Sequence, residues 1–99
     1  MAAAPPVAAR HELDPHAVDL DALSAWLVGA IVQAVRVTED QLSLLCDAVV
    51  SIVGDLIGGS GPPDRVAVEV GCDQSCLALR ISGLEAGRPA RSELLLFSV

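Results

Sequence analysis

Polar side chains recur at every fourth position of one otherwise apolar segment near the middle of the chain. They are Ser43, Asp47, Ser51 and Asp55. Because residues four apart lie on the same side of an α-helix, these side chains form one stripe. Carboxylate and hydroxyl oxygens can bind Mg²⁺, but the outer side of an ordinary helix has the same spacing. The spacing by itself favours a solvated stripe.

Three cysteines and two histidines are the other candidates for metal binding or nucleophilic chemistry: Cys46, Cys72, Cys76, His11 and His16. A structural zinc site needs four ligands, usually with a second close pair, and no such pair accompanies the cysteines. The Gly-x-Ser-x-Gly motif of a serine hydrolase does not occur. We therefore expect reduced, metal-free cysteines, solvated histidines and no catalytic residue.

Composition restricts the kinds of partner. The 99 residues carry a formal net charge of −7, all six basic residues are arginine, and only one Trp and one Phe are present. An acidic surface with few aromatic side chains repels phosphate backbones and anionic membranes and offers little to stack on bases. The start of the chain lacks a secretory pattern, and its apolar runs are shorter than the ~20 residues of a membrane span. We expect a cytoplasmic protein that binds neither nucleic acid nor membrane.

The first half of the sequence predicts a short strand followed by two helices. Residues 1–9, rich in Ala and Pro, are expected to be disordered, and residues 10–13 to form a short edge strand. Apolar residues at steps of three and four predict a first helix over 20–36. A capping-box pattern begins a second helix over 38–57, and the two glycines that follow, 58–59, predict a left-handed end.

Alternating apolar residues follow the helices. They predict strands over 65–70 and 76–82, a loop over 83–91 and a last strand over 93–99. Because consecutive strands joined by short connections pair antiparallel, these strands and the first one make a mainly antiparallel sheet. With two helices covering one face, the prediction is a two-layer α+β domain over residues 10–99.

Two segments resemble a known family. Residues 11–31, HELDPHAVDLDALSAWLVGAI, are similar to an opening strand and helix, and residues 44–82, beginning LLCDAVVSIVGDLI, are similar to a motif-bearing helix followed by a hairpin. In this order they resemble bacterial anti-sigma factors of the serine-kinase type, members of the histidine-kinase-like ATPase (GHKL) superfamily. The two segments cover about 60 of the 99 residues.

The resemblance implies a role for three residues. Asp47 and Ser51 occupy the spacing of the family's Glu-x-x-x-Asn, whose Asn holds magnesium on ATP, and Ser82 stands where an Asp reads the adenine. All three depart from the family pattern, and residues 83–91 are too short for an ATP lid. The resemblance therefore implies a trimmed, non-catalytic regulatory domain without a cofactor, whose partner is a sigma factor or its antagonist.

Two alternatives stay open. One is an ATP-binding serine/threonine protein kinase that uses Mg-ATP at Asp47, Ser51 and Ser82. The other is a structural subunit that assembles with copies of itself, because 53% of the residues are hydrophobic and a small domain cannot bury all of them. The last strand is apolar on both faces, and we hypothesise a partner contact centred on Leu95 and Phe97.

Overall fold

A computed structural model describes residues 7–59, 61–73 and 76–98. The elements, in chain order, are β1 (Val7–Leu13), α1 (Leu20–Ala34), α2 (Glu39–Gly58), β2 (Arg65–Cys72), β3 (Cys76–Glu85) and β4 (Arg88–Ser98). The strands form one antiparallel sheet in the order β1-β2-β3-β4, and the helices pack on one of its faces. The predicted α+β class and the antiparallel two-layer arrangement are confirmed.

Helix α1 begins at a side-chain cap and buries one stripe. The Asp19 carboxylate accepts hydrogen bonds from the backbone N–H groups of Asp21 and Ala22, both at 3.1 Å. These bonds satisfy two of the donors that every helix start leaves free. The helix ends at Ala34, two residues before the predicted end, and its fully buried side chains are Leu23, Leu27 and Ile31.

Helix α2 begins with the predicted capping box. The Gln41 N–H donates to the Thr38 hydroxyl at 3.1 Å, and the Thr38 N–H donates to the Gln41 side-chain oxygen at 2.9 Å. The buried side chains are Leu45, Cys46, Val49, Val53 and Leu56. The predicted left-handed end is wrong: Gly59 is extended, with φ of −74°. A positive φ, of 94°, occurs at Gly61.

Length and apolar composition alone would allow α2 to cross a membrane. About 28% of its most apolar window is buried inside the domain, and that buried side packs on the sheet. The core helix of a globular domain passes the same test of length and composition, so this helix carries no argument for a membrane span.

The two central strands supply the main part of the core. Alternate side chains of β2 and β3 are fully buried beneath the helices: Val66, Val68, Val70, Leu77, Leu79 and Ile81. Burying a Val, Leu or Ile side chain stabilises a fold by about 1.5–3 kcal/mol. This aliphatic layer holds the helices on the sheet, and the other face of the sheet has no covering element among the described residues.

Strand β1 is longer than predicted. It begins at Val7, so residues 7–9, expected to be disordered, pair with β2 after a register shift between Val7 and Ala9. The rest of the segment predicted to be disordered, residues 1–6, lies outside the described residues. The N-terminal segment therefore contributes to the sheet from Val7 onwards.

The predicted loop over residues 83–91 is instead a tight hairpin. Strand β3 continues to Glu85, β4 begins at Arg88, and Ala86 and Gly87 connect them with φ of 52° and 76°. Two central residues with positive φ are typical of a type I′ turn, whose twist matches that of a hairpin. The longer hairpin makes β4 an 11-residue strand at the edge of the sheet.

Candidate functional site

The polar stripe of α2 lies on the solvent side of the helix. Ser43, Asp47, Ser51 and Asp55 are all exposed. Among the described residues, no group of three or more His, Cys, Asp or Glu side chains is placed to bind a metal ion. The stripe thus has the surroundings of a solvated helix surface.

Ser82 lies on the other side of the sheet from this stripe. The preceding residue, Ile81, faces the helices, and successive side chains of a strand point to opposite faces. Ser82 is 3% exposed, and its hydroxyl oxygen lies 3.1 Å from that of Ser92 on β4. The structure therefore does not bring Ser82 together with Asp47 and Ser51, the two residues with which the resemblance groups it.

The three cysteines are free thiols in separate places. Burial, and then the neighbouring Asp47 carboxylate, raise the pKa of the Cys46 thiol. Cys72 packs on the helix side of the sheet, with its sulfur 3.7 Å from the carbonyl oxygen of Ala34. Cys76 precedes the helix-facing Leu77 and so points to the opposite face. The two cysteines that flank the turn therefore do not converge.

One histidine has a packing role that the sequence analysis missed. The rings of His11 on β1 and Trp26 on α1 are stacked, with centroids 5.1 Å apart and planes inclined by 28°. His16 is exposed beside the turn that follows β1, where its backbone N–H donates to the Asp14 carboxylate at 2.9 Å. The alternation of β1 could have placed His11 on the helix side, because Leu13 is apolar and two residues further on.

A cleft of about 380 Å³ opens between the second half of α2 and β4. Its volume falls in the range of small-molecule sites. The cleft has an apolar floor and three charged side chains, and its lining residues are Ile52, Asp55, Leu56, Ile81, Arg91, Ser92 and Glu93. Asp47, Ser51 and Ser82 do not line it, so the cleft is distinct from the site that the resemblance implies.

The C-terminal half of β4 exposes an apolar surface at the edge of the sheet. Leu94 and Leu96 are 45% and 63% exposed on the face that the helices leave uncovered. Leu95 and Phe97, on which the sequence analysis centred a partner contact, lie on the helix side and are half-buried against the core. The centre of the exposed surface is therefore displaced by one residue, to Leu94 and Leu96.

The opposite edge of the sheet is charged. Strand β1 carries Arg10 and Glu12, whose charged groups are 3.9 Å apart, and Glu12 also lies 3.4 Å from Arg65 on β2. Charged side chains on an edge strand discourage pairing with another chain. The residues of β4 from Leu94 to Phe97 carry no such charge, and this contrast makes β4 the edge suited to association.

Charge is distributed unevenly between the two layers. The helices and their connections, residues 14–58, contain seven carboxylates and one arginine, whereas the four strands contain five arginines and four glutamates. The helix layer thus carries most of the net charge of −7, and the sheet is close to neutral. A protein partner of ordinary charge meets least electrostatic repulsion on the sheet.

Comparisons of the chain with protein-family models, with curated proteins and with solved structures found no match. The fold itself defines a two-layer α+β domain, and within residues 7–59, 61–73 and 76–98 no element covers the second face of the sheet.

Proposed function

We propose that this chain is a non-catalytic regulatory domain that acts by binding another protein chain through β4. The observation that carries the proposal is the exposed apolar half of an edge strand, with Leu94 and Leu96 on the uncovered face. Long, apolar, unprotected edges are sites for pairing with another chain. A domain that leaves such an edge free has a ready means of recognising a partner.

The arrangement of polar residues supports a role without catalysis. The resemblance assigns a nucleotide site to Asp47, Ser51 and Ser82, yet the sheet separates Ser82 from the other two. A nucleotide cannot reach all three residues at once without rearrangement of the domain. The part of the family pattern that this chain can still use is a surface for protein binding.

The resemblance to anti-sigma factors supports a sigma factor or its antagonist as the partner. The uneven charge supports a protein over a nucleic acid, because a phosphate backbone would meet the acidic helix layer on one side of the domain. This role belongs in the cytoplasm, where sigma factors and their regulators act.

Affinity capture from the native host tests the proposal. We expect tagged wild-type protein to retain a partner that the Leu96→Lys variant loses, because a charge placed in an apolar contact must be desolvated. Leu44→Lys is the matched control, since Leu44 is 69% exposed on α2, away from β4. A partner retained equally by all three proteins would contradict binding through β4.

A nucleotide-dependent function is the second candidate, because the cleft beside α2 is large enough for a small molecule. Its charged groups are two carboxylates and one guanidinium, and the carboxylates would repel a triphosphate without bound cations. We expect no saturable Mg-ATP binding at millimolar nucleotide by calorimetry. Saturable binding that either Ser51→Ala or Arg91→Gln weakens would instead favour the kinase alternative.

A further inference from the structure

We propose that the chain occupying β4 is a second copy of this protein. Two β4 strands pair antiparallel about a two-fold axis at Leu95, and the two four-stranded sheets become one continuous sheet. This inference rests on the proposed function and names the occupant of the same edge. It makes the domain a symmetric dimer in which each copy protects the open edge of the other.

The two edges of the sheet differ in the feature that controls edge pairing. On β1, Arg10 and Glu12 form ion pairs beside the edge, and Glu12 also contacts Arg65. On β4, four consecutive apolar residues, Leu94 to Phe97, follow the last charged one. Natural proteins protect free edges with charges, prolines or bulges. The absence of such protection from the second half of β4 indicates that another strand covers it.

The sequence of β4 complements itself in one register. With the axis at Leu95, Leu94 lies opposite Leu96 of the second copy, Leu95 lies opposite Leu95, and Glu93 lies opposite Phe97. The leucines then continue across the junction on both faces of the sheet, where cross-strand apolar pairs stabilise pairing. The two Glu93 side chains are four residues apart along the strands, roughly 13 Å, so like charges do not meet.

Neighbouring registers are less favourable. An axis at Glu93 places two carboxylates directly opposite each other, which destabilises a strand pair. An axis at Ser92 pairs Arg91 with Glu93 but brings Pro89, which has no N–H to donate, into the ladder and leaves Phe97 near its end. The register centred on Leu95 avoids both the opposed carboxylates and the proline, and it places leucine opposite leucine at three consecutive positions.

The charge distribution favours a second copy at this edge over contacts elsewhere. Each helix layer holds seven carboxylates against one arginine, so two helix layers repel when they face each other. Pairing through β4 joins the nearly neutral sheets side by side. In the joined sheet, two β4 strands, each ~4.8 Å wide, lie between the strands under one α2 helix and the strands under the other. The two acidic helices are therefore kept apart.

Sedimentation velocity over a concentration series tests the dimer. We expect wild-type protein to sediment at twice the monomer mass at about 100 μM. Leu96→Lys should raise the dissociation constant about tenfold, because the two cross-strand Leu94–Leu96 pairs of the dimer are lost. Leu44→Lys, the matched exposed control on α2, should behave as wild type. Wild-type protein that stays monomeric at about 1 mM, or a dimer that Leu96→Lys does not weaken, overturns the inference.

Cysteine pairing tests the register and does not depend on whether the lysine variant folds. In a background with Cys72 and Cys76 replaced by alanine, Leu95→Cys should form an intermolecular disulfide on mild oxidation, because Cα atoms at the axis are about 5 Å apart. Leu96→Cys should not form one, since the Cα atoms of residue 96 in the two protomers would be about 8 Å apart. Efficient linkage at Leu96 and none at Leu95 overturns the proposed register.

Failure of the dimer is distinguishable from failure of the proposed function. A monomeric chain that still captures a host protein in a Leu96-dependent manner retains the protein-binding function and excludes the second copy as the occupant. A dimer that captures no other protein supports the inference and contradicts a sigma factor or its antagonist as the partner at β4.

Discussion

At the scale of single residues, the surroundings of a side chain decide what chemistry it can do. Cys46 is buried in the core, and burial and the Asp47 carboxylate both disfavour its thiolate. Cys72 and Cys76 are half-buried on opposite faces of the sheet. Cys46 therefore lacks the electropositive, accessible surroundings of a reactive cysteine.

The thiols should differ in their rate of modification. Because the pKa of Cys46 is raised, less thiolate is present at any pH below that pKa, and burial restricts access further. Maleimide labelling at pH 7.5, followed by peptide mass spectrometry, should modify Cys46 more slowly than Cys72 and Cys76. In denaturant all three should react at similar rates. Fastest labelling at Cys46 of the folded protein would contradict its placement in the core.

The sequence of β4 does not tell which of its apolar side chains face the helices. Four consecutive apolar positions, Leu94 to Phe97, predict a strand that is apolar on both faces. Alternation divides them into two pairs but does not tell which pair the helices cover. The paired register settles it, since Leu95 lies beside the buried Leu79. The partner contact was consequently centred one residue away from the most exposed side chains.

At the scale of elements, the end of β3 depends on one close contact. Gly83 lies where the register of the β3–β4 pair shifts, and a Cβ added there would come within 3.2 Å of two Pro63 side-chain atoms. Pro63 is itself buried in the loop before β2. The absence of a side chain at residue 83 thus lets the loop pack against the hairpin.

Gly83→Ala should therefore destabilise the domain. Overpacking against a ring that cannot move freely costs about 1–3 kcal/mol, so the midpoint of thermal unfolding should fall. Gly54→Ala is the matched control, since a Cβ there meets nothing within 4 Å. Replacing a glycine inside a helix should raise stability by about 0.5–1 kcal/mol. Thermal melts followed by circular dichroism that show Gly83→Ala unchanged would contradict the packing of Pro63.

Most helices and strands can be predicted from the sequence, but the last hairpin cannot. Capping residues and periodicity predict both helices to within two residues at each end, because Asp19 and Thr38 make the local bonds that begin them. Gly83 and Pro89 suggested a loop, since both usually interrupt strands. Here the glycine sits at a register shift and the proline on an edge, where each is tolerated. Such tolerance depends on tertiary position, which local sequence does not encode.

At the scale of the whole molecule, the domain is asymmetric in both charge and covering. The helices bury one face of the sheet and carry most of the negative charge. The other face and the β4 edge are nearly neutral, and no part of the chain that the structure describes covers them. Small side chains occupy the middle of that open face, where Ala67, Ala78 and Ser82 are shielded by their neighbours. Among the described residues, the large apolar side chains that the sheet exposes are Leu94 and Leu96 on β4 and Val7 on β1.

Amide hydrogen exchange in β4 tests the central claim, that this edge pairs with the same strand of a second copy, most directly. In a free edge strand, alternate N–H groups point to solvent and exchange quickly, whereas paired ones are protected. Residue-resolved exchange by NMR on pure protein should show outward amides of residues 93–97 slowing as concentration rises, while those of β1 do not change. Outward β4 amides that exchange equally fast at every concentration, up to the dimer range, would contradict the account.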